Sequence, residues 1–348
     1  MITYKKSGVN DDKAEMLVAL IKQRVKQASF PRKMSTDIGF FGGFIPFSTK
    51  NKKSYLVASC DGVGTKILIA KAFEKYDTIG IDLVAMNCND VAVCGAKPLF
   101  FLDYIAVGKL KIEREKKIVE GIIKGCEMSQ CVLAGGETAQ MPDVYSEDDF
   151  DLAGFCTGVV EADGILGPMK VKNGDVLLGV ASNGLHSNGF SLVRKVLLSG
   201  RGVKKMLGAY QIPLGRSLGE ELLRPTYIYS TLLSFLAENK LIHAAAHITG
   251  GGIPGNLVRI LPEHLDAEIY LNSWQIPQIF YMIQSNGKIT KKEMFNVFNM
   301  GIGLIMALPE RNVDRVQSII QKYGFRSFKI GWMCPGKGKV RFLKKSVG

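Results

Sequence analysis

Apolar and polar positions alternate along this chain in two rhythms. Between Asp11 and Gln27, Ala14, Leu17, Val18, Ile21 and Val25 recur every three or four positions, which predicts an amphipathic helix. Residues 31–47, with Gly39, Gly42 and Gly43, read as a loop. Residues 54–60 (Ser-Tyr-Leu-Val-Ala-Ser-Cys) predict a strand running into the polar turn Asp61-Gly-Val-Gly-Thr-Lys66. Helical spacing returns over 77–94 and 112–128, with a strand at 99–107 between them. A short strand at 131–134 enters a Gly135-Gly-Glu-Thr-Ala loop, and 151–160 is a long apolar strand.

Gly, Asp and Pro then gather over residues 161–175, and the domain boundary is placed there, giving units 1–165 and 166–348. Beyond it, strands at 176–181, 244–249, 301–308 and 328–333 alternate with helices at 191–198, 230–238 and 256–260. Alternation in both halves predicts a two-domain α/β (α+β) architecture. No internal repeat of fixed period interrupts it. The length, 348 residues, agrees with two domains at about 150 residues each.

Composition narrows the function classes. No apolar run approaches the roughly 18 residues of a membrane span. Residues 1–10 are polar and carry no signal-peptide core, so a cytoplasmic location is the expectation. Lys plus Arg is 45 against 32 Asp plus Glu, a net charge of +13, which suits an anionic ligand or nucleic acid. The basic residues are scattered except for short runs at 109–117 and 337–345, which read as a solvated helix face and a frayed basic tail, so nucleic-acid binding is not expected. The seven cysteines include no C-x-x-C, which argues against a zinc site or disulfide framework and for core packing.

Five clusters carry candidate chemistry. In Asp61-Gly-Val-Gly-Thr-Lys66, Gly62 and Gly64 let backbone N–H groups approach an anion, Lys66 offers a charge to phosphate, and Asp61 can hold a hard cation. The loop is not a Walker A motif, and taken alone it is equally an ordinary glycine turn. On the 77–94 helix, Asn87 and Asp90 share one face, while Asp82 and Asn89 share a neighbouring one. Such carboxylates among apolar neighbours are helix-end groups, or they are paired or metal-bound. Glu137 and Thr138 sit on a glycine loop that suits a metal or a substrate amine, or is a plain turn. Ser182-Asn-Gly-Leu-His-Ser-Asn-Gly189 holds more polar groups than a turn needs, and His186 there can act as a base, donate to phosphate or sit on a surface loop. His247-Ile-Thr-Gly-Gly-Gly252 opens a helix and suits an anion. Gly250 to Gly255 formally match G-x-G-x-x-G, but Pro254 and the lack of an acidic residue about 20 positions on argue against a dinucleotide. His247 reads alternatively as a core histidine; His243 and His264 read as surface.

The clusters fall in one order: D-G-V-G-T-K, D-T-I-G-I-D-L-V-A-M-N-x-N-D, P-L-F-F-L-D-Y, G-G-E-T-A-x-M-P, N-G-L-H-S-N-G-F-S-L-V-R, P-T-x-I-Y, H-I-T-G-G-G and F-N-x-G-x-G. That order resembles the AIR synthetases, the phosphoribosylformylglycinamidine cyclo-ligases of purine biosynthesis, from about Tyr4 to Gly331. The resemblance implies an N-terminal ATP-binding and dimerisation domain whose mixed sheet closes a barrel with a second subunit, and a C-terminal α/β sandwich. It implies ATP-dependent cyclisation of formylglycinamidine ribonucleotide to aminoimidazole ribonucleotide, with ADP and phosphate released, by a homodimer using Mg²⁺ and commonly helped by K⁺. On matching positions it assigns Asp61, Asp90 and Glu137, with Asp82 contributing, to magnesium–ATP. Lys22, Gly62, Gly64, Thr65, Lys66, Asn87 and Thr138 join the nucleotide, with Lys66 and Asp90 also acting in catalysis. Ser187 and Asn188 go to substrate, as do Thr249, Gly250, Gly251 and Gly252 at its ribose phosphate. His186 is the preferred proton shuttle and His247 the alternative. Phe40 and Phe41 interrupt a loop that is richer in glycine among relatives and is expected to cover the nucleotide. A selenophosphate synthetase-like or thiamine-monophosphate kinase-like activity on the same fold is the alternative. An early catalytic cysteine would mark the former, whereas the first cysteine here is Cys60, in a strand.

Overall fold

The computed structural model describes residues 3–9, 11–27, 39–47 and 53–344. Helix α1 (Asp11–Gln27) forms as expected, but Met16, Leu17, Val18, Leu20 and Ile21 stay exposed on it. Two mixed sheets follow. The first joins β1 (Gly43–Pro46), β2 (Ser54–Gly62), β3 (Lys97–Val107), β4 (Val132–Gln140) and β5 (Phe150–Glu161) in the order β1-β2-β5-β3-β4, parallel only between β3 and β4. Two expectations are corrected here. Part of the 31–47 loop is strand β1, while residues 31–38 of it lie outside those described. The Gly135-Gly-Glu-Thr-Ala segment continues the ladder beside β3 instead of looping out.

Helix α2 (Ile67–Phe73) follows β2, and one face of this sheet is covered by α3 (Ile79–Val93) and α4 (Ile112–Ser129). Helix α3 is buried from end to end except at Asp90, because it packs on the sheet, on α4 and on the second half of the chain at once. Its approach to α4 needs Gly80: a Cβ there would lie 2.2 Å from the Ile118 carbonyl oxygen. The other face is open and apolar. Phe155 pairs with both Leu102 and Cys60, and Phe100 pairs with Val132; all five are exposed.

The second sheet comprises β6 (Val176–Ala181), β9 (Ala244–His247), β10 (Leu265–Tyr270), β11 (Ile302–Leu308), β12 (Ser327–Pro335) and β13 (Val340–Leu343), in the order β13-β10-β12-β6-β11-β9. A two-residue pair, β7 (Tyr210–Gln211) with β8 (Arg216–Ser217), stands apart. The helices of this half are α5 (Phe190–Leu197), α6 (Val203–Gly208), α7 (Leu218–Leu222), α8 (Ser230–Glu238), α9 (Gly252–Leu257), α10 (Gln278–Gly287), α11 (Lys291–Val297) and α12 (Val313–Lys322). Central strands β6 and β11 are buried at every residue, so both faces of the sheet are covered. Among the described residues no helix is long and apolar enough to cross a membrane.

Candidate functional site

The polar residues of α3 hold the two halves together. Lys66, just before α2, pairs with Asp82 at 2.7 Å with neither side chain exposed, and donates to the carbonyls of His186 (3.0 Å) and Arg224 (2.7 Å). Asp82 in turn accepts from the backbone N–H and the hydroxyl of Thr226, at 2.7 and 2.6 Å. Burial pulls the Lys66 amine down from its ordinary value and the Asp82 charge opposes that pull. The two residues expected at phosphate and metal thus turn to one another, and the structure gives them an internal, cross-linking place. Two turns on, Asn89 donates to the Tyr227 carbonyl (2.9 Å) and accepts from the Tyr229 N–H (2.7 Å). The P-T-x-I-Y motif is therefore the other half of this seam.

The next α3 face opens toward solvent. Asp90 Oδ1 lies 2.8 Å from His247 Nδ1, while His247 Nε2 lies 3.4 Å from the Asn89 amide nitrogen. His247 is completely buried, whereas Asp90 is 15% exposed. Asn87 reaches back to the Asp61 carbonyl (3.2 Å). Asp61 takes the Gly62 N–H on Oδ1 at 2.7 Å. Its carboxyl is pushed up to about 6, first by burial and then by the Asp90 charge, with His247 and Arg259 opposing. Two crowded carboxylates facing one opening are a hard-oxygen donor pair that a divalent cation would relieve.

Glu137 is not brought to that pair within one chain. Across the sheet Asp61, Gly154, Asp103 and Gly136 are register partners and share the helix-covered face. Glu137 is one residue further, paired with Tyr104, so it belongs to the open face. It is three strands from β2, roughly 14 Å at ordinary strand spacing. Glu137 and Thr138 are exposed on edge strand β4. Among the described residues no three His, Cys, Asp or Glu side chains are placed to hold a metal ion.

The second half contributes two loops. His186 adopts φ +61° and is 1% exposed, between the rings of Tyr227 and Tyr229. Its Nε2 accepts the Asn183 N–H (2.9 Å), and burial holds the imidazole well below its usual value, so it is neutral. The surface-loop alternative for His186 is thus corrected. Ser187 meets Thr226 at 3.0 Å, and Thr65 meets Ser191 at 3.0 Å. The His247-Ile-Thr-Gly-Gly-Gly252 loop is gathered by buried Asn256, whose amide donates to the carbonyls of Thr249, Gly250 and Gly252. Gly251 and Gly252 take φ +85° and +58°, and a Cβ on Gly252 would lie 1.9 Å from the Phe295 carbonyl oxygen. Asn188 faces this loop: its Oδ1 is 3.5 Å from where a Gly250 Cβ would stand. His264 is exposed as expected, whereas His243 is half-buried and bonded to Asp175 at 2.7 Å.

Beside the carboxylates lies a cavity of about 550 Å³ lined by Lys22, Phe40, Phe44, Leu166, Lys170 and Arg259. Lys22 packs on Gly39, and Phe40 and Phe44 supply aromatic walls, so one of the two phenylalanines that break the glycine loop, Phe40, builds its lining. Arg259 follows α9 and stacks at 4.9 Å on the buried ring of Phe41. Its guanidinium is drawn down by burial and held charged by Asp90 and Asp61. Sequence reasoning missed Arg259 and Asn256. Arg259 lies two residues past the glycine motif's helix, and only its place at the end of an anion-type loop hinted at it.

Comparison with known proteins identifies the family. Residues 44–160 match the AIR synthase related protein N-terminal domain, and residues 172–344 match the C-terminal domain of the same family. The phosphoribosylformylglycinamidine cyclo-ligase of Pseudothermotoga lettingae is 50% identical over 339 residues, 97% of this chain and 98% of that protein. The protein of the same name from Thermodesulfovibrio yellowstonii is 47% identical over 337 residues, 96% of this chain and 97% of that one. Among solved structures, AaThiL complexed with AMPPCP and TMP shares the fold at a TM-score of 0.63 and 18% identity, covering 95% of this chain and 93% of that chain. The chain belongs to the AIR synthase family, among its phosphoribosylformylglycinamidine cyclo-ligases.

Proposed function

We infer that this chain catalyses the reaction for which its family is named. Formylglycinamidine ribonucleotide and ATP become 5-aminoimidazole ribonucleotide, ADP and phosphate, a step of purine biosynthesis. The observation that carries the reading at the level of the site is the crowded Asp61–Asp90 pair, whose charges act on Arg259 in the wall of a cationic, aromatic-lined cavity. An adenine suits the Phe40 and Phe44 walls, and Lys22, Lys170 and Arg259 suit a polyphosphate. The distant fold relative was solved with an ATP analogue, which favours ATP here.

Mg²⁺ fits the donors: two half-shielded carboxylates, with Asp61 raised first by burial and then by the Asp90 charge. Asp61 and Asp90 would hold it, and it would neutralise charge on the β- and γ-phosphates. The formyl oxygen attacks the γ-phosphorus as the bond to ADP breaks; the amidine nitrogen then attacks the formyl carbon, phosphate departs with that oxygen, and a proton is lost from the ring nitrogens. Closure is intramolecular, so holding the folded conformer supplies much of the rate. The Thr249–Gly252 loop and Asn188 form the anion site for the ribose phosphate. His247 orients Asp90. His186, neutral and enclosed, positions the 183–187 loop.

The open apolar face is larger than scattered surface hydrophobics and favours a homodimer closed over it. Glu137 and Thr138 lie on the edge strand of that sheet. The first unit, 1–165, carries nucleotide and dimer contacts, and the second, 166–348, carries the substrate loops. The test is ADP release coupled to formation of a diazotisable aromatic amine from formylglycinamidine ribonucleotide, with and without Mg²⁺ and K⁺. Turnover dependent on both substrates is expected. ADP release with thiamine monophosphate and none with formylglycinamidine ribonucleotide would overturn the reading.

A further inference from the structure

The end of the N-G-L-H-S-N-G-F-S-L-V-R segment lines a second cavity, of about 460 Å³, which shares no residue with the lining of the first. Its walls come from α2 (Leu68 and Ile69), from α5 (Ser191, Arg194 and Lys195) and from Ser7 in the Lys5–Ser7 turn. Two cations line it and no aspartate or glutamate does. Arg194 makes no ion pair among the described residues. Lys195 donates to the Lys6 backbone carbonyl, which ties the 5–7 turn to α5, and the Ser7 hydroxyl is held by the Tyr4 carbonyl at 2.6 Å. The Ser191 hydroxyl lies 3.0 Å from that of Thr65 in the Asp61–Lys66 turn, so this wall and the glycine turn are joined. A guanidinium fork beside a hydroxyl, with no acid to neutralise it, is the donor set a phosphate takes. The rest of the wall is apolar, with Ile69 and Leu198 buried, and suits a body carried by that phosphate.

We propose that this cavity is a second anion site, separate from the Thr249–Gly252 loop, and that it takes a phosphate monoester with a small apolar body. Arg194 holds two phosphate oxygens and Lys195 adds its charge beside them. Thr65, donating to Ser191, leaves the Ser191 hydroxyl proton for a third oxygen. The apolar body lies against Leu68, Ile69 and Leu198. None of these residues belongs to the carboxylate set, so the site stands or falls independently of the metal reading.

The test uses full-length protein in phosphate-free buffer, with phenyl phosphate as the probe. Calorimetric titration of the wild type is expected to resolve two sites. In Arg194→Met one of them should weaken by about tenfold or more, the loss of a charge-assisted hydrogen bond, while the other is unchanged. The second measurement needs no variant: wild-type protein is treated with phenylglyoxal, an arginine reagent, and Arg194 modification is followed by peptide mass spectrometry. Phenyl phosphate should protect Arg194, and inorganic phosphate should protect it less at the same concentration. A single site in the wild type, two unchanged sites in Arg194→Met, or an Arg194 modified equally fast with and without phenyl phosphate overturns the proposal. Equal protection by inorganic phosphate overturns the apolar half of it.

Discussion

Replacing Lys66 with methionine separates two roles that the same lysine could play. If it contacted a phosphate, the change would weaken nucleotide binding and leave the fold alone. In the structure Lys66→Met instead deletes a 2.7 Å ion pair with no exposed atom and two hydrogen bonds to the His186 and Arg224 carbonyls. It leaves Asp82 buried with only Thr226 to satisfy it. Removing one partner of such a pair costs about 3–5 kcal/mol, because the remaining charge is uncompensated. Asp82→Asn should cost a similar amount. The double variant removes both charges and should cost less than the sum of the two, by about 1–3 kcal/mol. The measurement is urea denaturation followed by far-ultraviolet circular dichroism for all four proteins, beside AMPPCP titration by calorimetry. A Lys66→Met protein with the wild-type midpoint and lost nucleotide affinity would refute the cross-linking role and return the lysine to the phosphates.

Asp90→Asn keeps an acceptor for His247 and should fold normally while turnover falls by about a thousandfold, as when a charged transition-state group is lost; near wild-type turnover in the coupled assay would remove Asp90 from the metal set. His186 bears on pH: its native value lies below the unfolded one, so its contribution is intact above about pH 6.5 and is lost as pH falls toward the native value. Thermal melts from pH 8 to 5 should show that acid limb, with a slope of up to about 1.4 kcal/mol per pH unit from this one proton, and His186→Asn should flatten it; an unchanged limb would show that the ring does not stay neutral. Phe155→Glu puts a charge in the middle of the open apolar face and should yield monomers in sedimentation velocity.

The fold was largely written in periodicity. The long apolar strand at 151–160 and the helix at 112–128 appear within one or two residues of their expected bounds, because each buries one consistent face. The misread segments share a cause. Gly135-Gly-Glu-Thr-Ala looks like a loop because glycines usually mark one, yet β4 is an edge strand. There Gly136 lets Asp103 lie where a side chain would collide, its Oδ1 being 2.3 Å from the Cβ position. Phe40 and Phe41 look like an interruption because cavity walls and core residues have the same chemistry. Only the tertiary position of Phe44, Lys22 and Arg259 distinguishes them.

The candidate site was legible as residue types and illegible as pairings, and α3 shows why. Four polar residues on a buried helix announce that something polar is opposite, since an unpaired buried charge is too costly to keep. The spacing of Asp82, Asn87, Asn89 and Asp90 separates the faces, but which face meets solvent depends on what the second half of the chain places there. Thr226 takes Asp82, Tyr227 and Tyr229 take Asn89, and only Asp90, backed by His247, is left at an opening. The same logic explains the two histidines. Both lie in glycine-rich motifs and both are buried, but His247 passes its orientation to a carboxylate that reaches the cavity side, while His186 accepts a backbone N–H and holds a loop. Chemistry at this site is therefore set less by the groups the chain carries than by which of them the packing leaves unspent.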